Sequence, residues 1–512
     1  MAEQAWPAGL RAAFDRYEAA ILAHDVAVLD ELFEPGPETM RGDAAGLLVG
    51  HDRISAFRSA RGGVAARRIG RTELRVLGDD CVLIVAESWF DRGGHGLQTQ
   101  LWRRSRAWRI AAAHVTGRSV AFDRSVWRVL GDPLVAGVTG PEVPLAGVRV
   151  AVKDLFAVRG QVVGAGNPAY EREAPVAAEH AVAVQRLLDA GASVLGIART
   201  DEFAYSIAGR NAHTGTPPNG AAPDRMPGGS TSGAAAAVAL GQADLALGTD
   251  TAGSVRVPAS YQGLWGLRTT HDAVSRAGLL PLAQTFDTVG WLARDVATLR
   301  AAAAASLPDP GAAGAPALGG GPLLVADSLL EAADPATRAA FEAFLADSGR
   351  TVTAVELPPL AELAETVRVV QAAEAWRNDG DWVSAHRDAL GADVLARFDA
   401  AARVTAADEA AARARLAELR TAVRAVLARG VLCLPTVPGP APWRTADGAA
   451  VERTRSATLR MTAPAGVAGA PAVSAPVLVV EGAPVGVCFV GAPGTDLALL
   501  DLARTATQSS RD

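Results

Sequence analysis

Three short segments carry the residue types that nucleophilic catalysis needs. VAVKDLF places Lys153 at the end of an apolar run, PGGSTSGAAAAV places Ser230 after two glycines, and GTDTAGSVRVP places Ser254 after Ala-Gly. Burial at the end of such a run lowers the pKa of a lysine amine, which makes a neutral base available near pH 7. A serine activated by that base can attack a carbonyl carbon.

The small residues around the two serines predict unusual backbone geometry. Gly228 and Gly229 permit turns that other residues disfavour, so that Ser230 can point into a crowded site. Ala252 and Gly253 leave room for consecutive N–H groups to converge. Such donors stabilise the oxyanion that forms when a serine attacks a carbonyl group.

Together these segments resemble the amidase-signature family, from about residue 144 to residue 503, and Ser230 and Ser254 have the family's spacing of 24 residues. The resemblance implies that Ser254 is the nucleophile, that Ser230 follows a cis peptide bond and relays a proton, and that Lys153 is the base. It also implies an oxyanion hole made by backbone N–H groups, and neither a metal nor a cofactor. The implied donors are Thr251, Ala252, Gly253 and Ser254.

Several positions depart from the common family pattern. Thr231, Ser232 and Ala234 alter the serine-glycine run, Thr251-Ala252 replaces an apolar-Gly pair, and Gln262 stands where cysteine is frequent. These departures concern the width of the pocket and the placement of Ser230. The segments EFAYSIAGRNAHTGTPPNGAAPDRMPGG and TFDTVGWLARD are similar to the indole-3-acetamide hydrolase branch of the family.

Other polar residues near these segments favour structural roles. We expect Asp250 to hold the loop by hydrogen bonds, with Arg256 as a partner. The eight histidines have no metal-ligand spacing, which argues against a metal site.

Alternating short strands and helices must position the three segments. Apolar runs at 148–152 and 193–196 and a helical stretch at 179–190 give α/β patterning, and 360–429 is rich in helix-forming residues. The low-complexity segment 307–321 predicts a surface loop. The predicted fold class is therefore an α/β amidase-signature fold, a large mixed sheet flanked by helices.

A separate small domain precedes this fold. Helical spacing at residues 10–21, a helix capped by Asp25 and four strands between 72 and 115 predict an α+β domain. The segments FDRYEAAILAHDVAVLDELF, GHDRISAFRSAR and WRIAAAHVT resemble the cone-shaped nuclear-transport-factor-2-like fold of a cyanuric-acid-pathway hydrolase relative. We predict domains at 1–125 and 126–512. Five side chains are candidates for lining the cone, although core packing is favoured: Tyr17, Arg58, Arg61, Trp89 and His114.

Composition narrows the class of partner and compartment. Apolar residues make up 49% of the 512 residues, and the net charge of −6 includes no basic stripe for nucleic acid. The three cysteines lack disulfide or metal spacing, and no segment resembles an export signal or a membrane anchor. These features predict a cytoplasmic protein without a nucleic-acid or membrane partner. The family resemblance implies a small-molecule amide substrate, and formation of a homodimer is one use of the first domain.

Four functions are compatible with these observations. The leading hypothesis is hydrolysis of a small carboxamide through a serine acyl-enzyme. A second enzyme hypothesis is hydrolysis of a ureido-carboxylate, such as a biuret- or allophanate-like compound. A third hypothesis, outside catalysis, is a binding module with an amidase-like fold that has lost its catalytic residues. A fourth, by family analogy, is a subunit of a tRNA-dependent amidotransferase.

Overall fold

A computed structural model describes the protein at residues 6–43, 46–60, 66–90, 95–116, 123–140, 143–308, 318 and 321–508. The chain divides into two compact units, Met1–Ala121 and Phe122–Asp512. The boundary lies a few residues before the one predicted from sequence.

The first unit is an α+β domain. Leu10, Phe14 and Tyr17 recur at helical spacing and are buried on one helix face. Asp25 caps the second helix as predicted, since its carboxylate accepts a hydrogen bond from Val28 N at 3.0 Å. The elements are α1 (Leu10–Ala23), α2 (Val26–Leu32), β1 (Met40–Asp43), β2 (Gly46–Val49), α3 (His51–Ala60), β3 (Arg67–Gly78), β4 (Cys81–Phe90), β5 (His95–Arg104) and β6 (Trp108–Thr116).

One six-stranded sheet organises this unit, with the order β2-β1-β6-β5-β4-β3. The predicted four-strand meander corresponds to β3 through β6, which pair antiparallel in sequence order. Sequence analysis did not predict β1 and β2, which are only four residues long, and β1 pairs parallel to β6. Among the candidates for lining the cone, Tyr17 and Arg58 are buried and His114 is exposed, while Arg61 lies outside the described residues.

The second unit is built on an eleven-stranded mixed sheet with the order β14-β13-β15-β17-β16-β11-β12-β10-β8-β9-β7. The central strands are buried along their whole length and rich in apolar residues, as expected for a sheet covered on both faces. The strands are β7 (Trp127–Val135), β8 (Arg149–Lys153), β9 (Ser193–Ala198), β10 (Leu245–Asp250), β11 (Trp265–Arg268), β12 (Thr288–Ala293), β13 (Leu323–Val325), β14 (Val352–Ala354), β15 (Val431–Pro435), β16 (Ala472–Val480) and β17 (Ala483–Val490).

Helices cover this sheet, and three of them fall in the stretch 360–429, where the sequence predicts several. They are α4 (Pro168–Glu173), α5 (Val182–Asp189), α6 (Ser232–Ala239), α7 (Arg256–Tyr261), α8 (Val296–Ser306), α9 (Asp327–Glu331), α10 (Pro335–Asp347), α11 (Leu360–Ala385), α12 (Ala392–Ala401), α13 (Ala406–Leu427), α14 (Gly448–Ala468) and α15 (Asp496–Gln508). Most of the predicted loop at 307–321 lies outside the described residues. Within the described ranges, no helix has the length and apolar character needed to cross a membrane.

Candidate active site

Lys153 is the last residue of β8, the third strand from one end of the eleven-stranded sheet. β8 lies between β10 and β9 and is parallel to both, so the lysine side chain is fully enclosed, with an exposed fraction of 0%. Its Nζ is 2.8 Å from Ser230 Oγ and 2.7 Å from Thr249 Oγ1. Among the residues that the structure describes, two hydroxyl groups and no carboxylate make the hydrogen bonds of this buried amine.

This environment favours the neutral form of the amine. Burial lowers the pKa of Lys153 from its ordinary value of 10.5 to about 7, against the opposing effect of the nearby carboxylates Asp201, Asp287 and Asp250. A lysine with this pKa can accept a proton at neutral pH.

Ser230 lies on a tightly constrained loop before α6. The peptide bond between Gly229 and Ser230 is cis, as the family resemblance implies, and Gly228 has a φ of +72°. A side chain at Gly229 would collide with the carboxylate of Asp201. Asp201 also accepts hydrogen bonds from Ser232 Oγ and Gly209 N, both at 2.9 Å. Glycine is thus required where this loop passes the buried carboxylate.

Ser254 lies in the loop between β10 and α7 and lines a cleft. Its carbonyl oxygen accepts a hydrogen bond from Thr231 N at 3.3 Å, which joins the two serine-bearing segments. Among the described residues, Ser254 Oγ has no hydrogen-bond partner. The structure thus brings Lys153 and Ser230 into direct contact and places the loop of Ser254 beside them.

The predicted oxyanion donors lie in the same loop and differ in availability. Gly253 N donates to Asp250 Oδ1 at 2.9 Å, so this N–H group is engaged by the carboxylate three residues earlier. The role of Gly253 in an oxyanion hole stays a prediction. The N–H groups of Thr251, Ala252 and Ser254 have no acceptor within the described part of the chain.

Asp250 anchors residues 251–255, the nucleophile loop named for the predicted role of Ser254, through a buried ionic cluster. Its carboxylate accepts hydrogen bonds at 2.9 Å from both Nε and Nη2 of Arg256, as predicted, and one at 3.0 Å from Arg268 Nη1. Burial acts to raise the pKa of Asp250, but the two guanidinium groups hold it well below its usual range. The charged carboxylate also accepts a hydrogen bond from Val255 N at 3.3 Å.

Three functional contacts were not found by sequence analysis. Thr249, the second partner of Lys153, follows a glycine inside an apolar strand, where threonine is an ordinary strand residue. Arg268 is 18 residues from Asp250 and meets it only because of the fold. Asp287 accepts a hydrogen bond from Thr251 Oγ1 at 2.6 Å and fixes the start of the nucleophile loop. The segment TFDTVGWLARD contains Asp287, but resemblance alone assigned it no role.

The cleft at Ser254 has a volume of about 420 Å³. Its floor is formed by the nucleophile loop and the segment 204–207, and its walls by helices α11, α12 and α14. Thr462 of α14 donates to the carbonyl oxygen of Ala252 at 2.8 Å, which ties this wall to the loop. The volume suits a small organic molecule.

Comparison with known proteins identifies two segments of the chain. The Amidase family model matches residues 133–313 and 324–500, and the AtzH-like family model matches residues 3–119. Amidase 1 of Arabidopsis thaliana is 39% identical over 397 residues, which cover 70% of this chain and 92% of the relative.

Two further proteins are similar over different lengths. The 1-carboxybiuret hydrolase subunit AtzE of Pseudomonas sp. strain ADP is 46% identical over 168 residues, covering 33% of this chain and 36% of the relative. A solved structure described as a vestigial protein complex that reveals the origins of an s-triazine catabolic enzyme has a TM-score of 0.66 and 32% identity. It covers 72% of this chain and 84% of its own.

Proposed function

The chain belongs to the amidase family, and on that premise we propose that it hydrolyses a small carboxamide through an acyl-enzyme on Ser254. The Amidase family match and the similarity to Amidase 1 support an amidohydrolase with an AtzH-like N-terminal domain. The observation that carries the proposal is the 2.8 Å hydrogen bond between the buried Lys153 amine and Ser230 Oγ, next to the loop of Ser254.

In the proposed reaction, Ser254 Oγ attacks the carbonyl carbon of the amide. Its proton passes to Ser230 Oγ as the Ser230 proton passes to neutral Lys153 Nζ. The oxyanion accepts hydrogen bonds from the free N–H groups of the loop, at Thr251, Ala252 and Ser254. Return of the proton along the same relay releases ammonia or an amine, and water then hydrolyses the ester on Ser254.

Substitution of the nucleophile tests this mechanism. Ser254→Ala should lower kcat/KM on the best amide substrate by at least about 10⁴-fold, because no acyl-enzyme can form. The parent protein should also form a fluorophosphonate adduct, located on Ser254 by peptide mass spectrometry. Ser384→Ala is the matched control, since Ser384 Oγ donates to its own helix at Gly380 O. Full turnover by Ser254→Ala would rule out the proposed nucleophile.

A ureido-carboxylate is the second candidate substrate. It is favoured by the similarity to a 1-carboxybiuret hydrolase subunit and by the AtzH-like match at residues 3–119. Parallel assays on aryl acetamides and on biuret-like acids separate the two candidates. A cytoplasmic location and dimerisation also belong to the proposal; they are supported by the free thiols of Cys81, Cys433 and Cys488 and by the similarity to a protein described as part of a complex.

A further inference from the structure

The cleft at Ser254 carries more positive than negative charge. Its lining includes four arginines, Arg368, Arg397, Arg455 and Arg460, against two glutamates, Glu365 and Glu452. The whole chain has the opposite balance, with a net charge of −6. The excess of cationic groups is therefore a local property of the cleft.

Two of these arginines are solvated. Arg368 makes two hydrogen bonds with Glu365, at 2.7 and 2.6 Å, and both side chains are more than half exposed. Arg460 is exposed as well. An exposed pair of this kind contributes little to binding or to stability. Neither residue is needed for the inference.

Arg397 and Arg455 are different because their own side chains are largely enclosed while their partners are not. Arg397 is 19% exposed and donates from Nη1 to Asp393, which is 62% exposed. Arg455 is 23% exposed and donates from Nη1 to Glu452, which is 56% exposed. Each carboxylate is on the same helix as its arginine and faces solvent.

The remaining guanidinium nitrogens have no partner. Within the described residues, Arg397 Nε and Nη2 and Arg455 Nη2 make no hydrogen bond, and Arg455 Nε is sealed from solvent without one. Arginine presents its donors as a planar fork that fits the two oxygens of a carboxylate. These free donors can therefore bind an anion that enters the cleft.

The two guanidinium groups also repel each other. Burial lowers the pKa of Arg455, and the charge of Arg397 lowers it further. Burial raises the pKa of the Tyr205 hydroxyl, and the charges of Arg397 and Arg455 oppose this effect. The Tyr205 ring packs on Phe398, with 5.2 Å between the ring centroids. Each arginine has one solvated carboxylate partner, and an anion bound by both arginines would offset the remaining repulsion between them. Perturbed groups of this kind are concentrated at functional sites.

Helix α14 sets the distance between this pair and the nucleophile loop. Arg455, Leu459 and Thr462 are spaced by four and three residues, so they lie on one face, and all three line the cleft. Thr462 contacts the loop at Ala252 O. Seven residues of helix span about 10 Å. An anion at Arg455 would therefore lie within the length of a small molecule from the reacting carbonyl group.

We propose that Arg397 and Arg455 form an anion subsite that binds a carboxylate on the acyl part of the substrate. The substrate class is then an amide acid, either the monoamide of a dicarboxylic acid or a ureido acid. This inference rests on the proposed function, since it assigns the acyl group that Ser254 receives. The carboxylate holds the amide in place and takes no part in bond breaking.

Paired substrates of equal length test the subsite. We would measure kcat/KM for suberamate against octanamide, and for 6-ureidohexanoate against hexylurea, because these chains are long enough to span the separation of about 10 Å along α14. The parent should prefer each acid over its neutral partner by at least tenfold. Arg455→Met and Arg397→Met should lower kcat/KM on the acids by about ten- to a hundredfold, mainly through KM, and on the neutral amides by less than threefold.

Matched variants separate charge from folding. Arg300→Met removes an arginine that pairs with Asp501 on the exposed surface, and it should leave all four values unchanged. Arg455→Lys should restore part of the preference for acids because it retains the charge. Calorimetric titration with succinate, which cannot be hydrolysed, should give at least tenfold weaker binding to Arg455→Met than to the parent.

The outcomes distinguish the two proposals. Equal rates on acids and neutral amides, or equal losses on both in the arginine variants, would overturn the anion subsite and leave the amidohydrolase proposal intact. If the parent cleaves none of the four compounds, the succinate titration decides the subsite by itself. Binding that depends on Arg455 supports the subsite, and binding that does not depend on it overturns the subsite.

Discussion

Lys153 and Asp250 are equally buried, in adjacent parallel strands of one sheet. The surroundings nevertheless favour the neutral form of Lys153 and the charged form of Asp250. The Lys153 amine contacts two hydroxyl groups, and burial lowers its pKa to about 7. Asp250 contacts two guanidinium groups, which keep its carboxylate charged. The partner in direct contact, and not the depth of burial, therefore decides which group can exchange a proton and which holds the loop.

The largest expected effect removes the base. Lys153→Met should lower kcat/KM by about 10⁴-fold, the upper range for a general base, because Ser230 loses its proton acceptor. The free energy of unfolding should not fall, since the variant replaces a desolvated amine by an apolar side chain of similar length. Steady-state kinetics and urea denaturation together check both parts. A large loss of stability would show that Lys153 is primarily a structural residue.

The second prediction concerns a loss of stability, whereas the first concerns a loss of activity. Asp250→Asn should lower the free energy of unfolding by about 3–5 kcal/mol, because it leaves the buried guanidinium groups of Arg256 and Arg268 without a countercharge. Urea denaturation measures this loss. Asp501→Asn is the matched control, since it breaks an exposed pair with Arg300 and should change stability by less than about 1 kcal/mol. Equal effects of the two variants would contradict the ionic role of Asp250.

The smallest expected effect is that of pH. Since neutral Lys153 is the active form, kcat/KM should rise about tenfold per pH unit up to about pH 7 and remain level above it. Asp379 is a second buried group with a pKa raised to about 7, mainly by burial. Asp379→Asn should therefore keep the same midpoint. If Asp379→Asn abolished the change in kcat/KM near pH 7, the titrating group would be Asp379 and not Lys153.

The sign of the accompanying stability change is fixed by the same pKa. Lys153 has a lower pKa in the folded protein than its ordinary value of 10.5, so the unfolded chain binds more protons between about pH 7 and 10.5. The contribution of Lys153 to the free energy of unfolding therefore increases as pH rises through this range. Lys153→Met should remove that increase.

The sequence predicts the residues that are brought together at this site better than the residues that hold them in place. Lys153, Ser230 and Ser254 lie in local patterns, and the amidase fold and the Asp250–Arg256 contact follow from them. Thr249, Arg268 and Asp287 are different because their roles depend on strands that meet only after folding: β10 pairs with β8 on one side and β12 on the other. No local spacing encodes such a contact.

The residues of the cleft walls could not be predicted from sequence for the same reason. Residues 360–429 predict helices correctly, but nothing in their composition indicates that Arg397 and Arg455, which are 58 residues apart, line the same cavity. The availability of the oxyanion donors was not predictable either, because Gly253 N is engaged by a side chain within its own turn. Which acceptor the Gly253 N–H group binds depends on the backbone angles of the turn, and the residue types do not specify these angles.

The separation of the second unit into a sheet and covering helices has a consequence for the evolution of substrate specificity. The proposed proton relay is carried by the large sheet and by loops next to it, whereas the two arginines that would recognise the acyl group lie on helices α12 and α14. A substitution on the outer layer can exchange one acyl group for another while the reaction is preserved. Related amidases can therefore differ in substrate specificity while they keep the same catalytic mechanism.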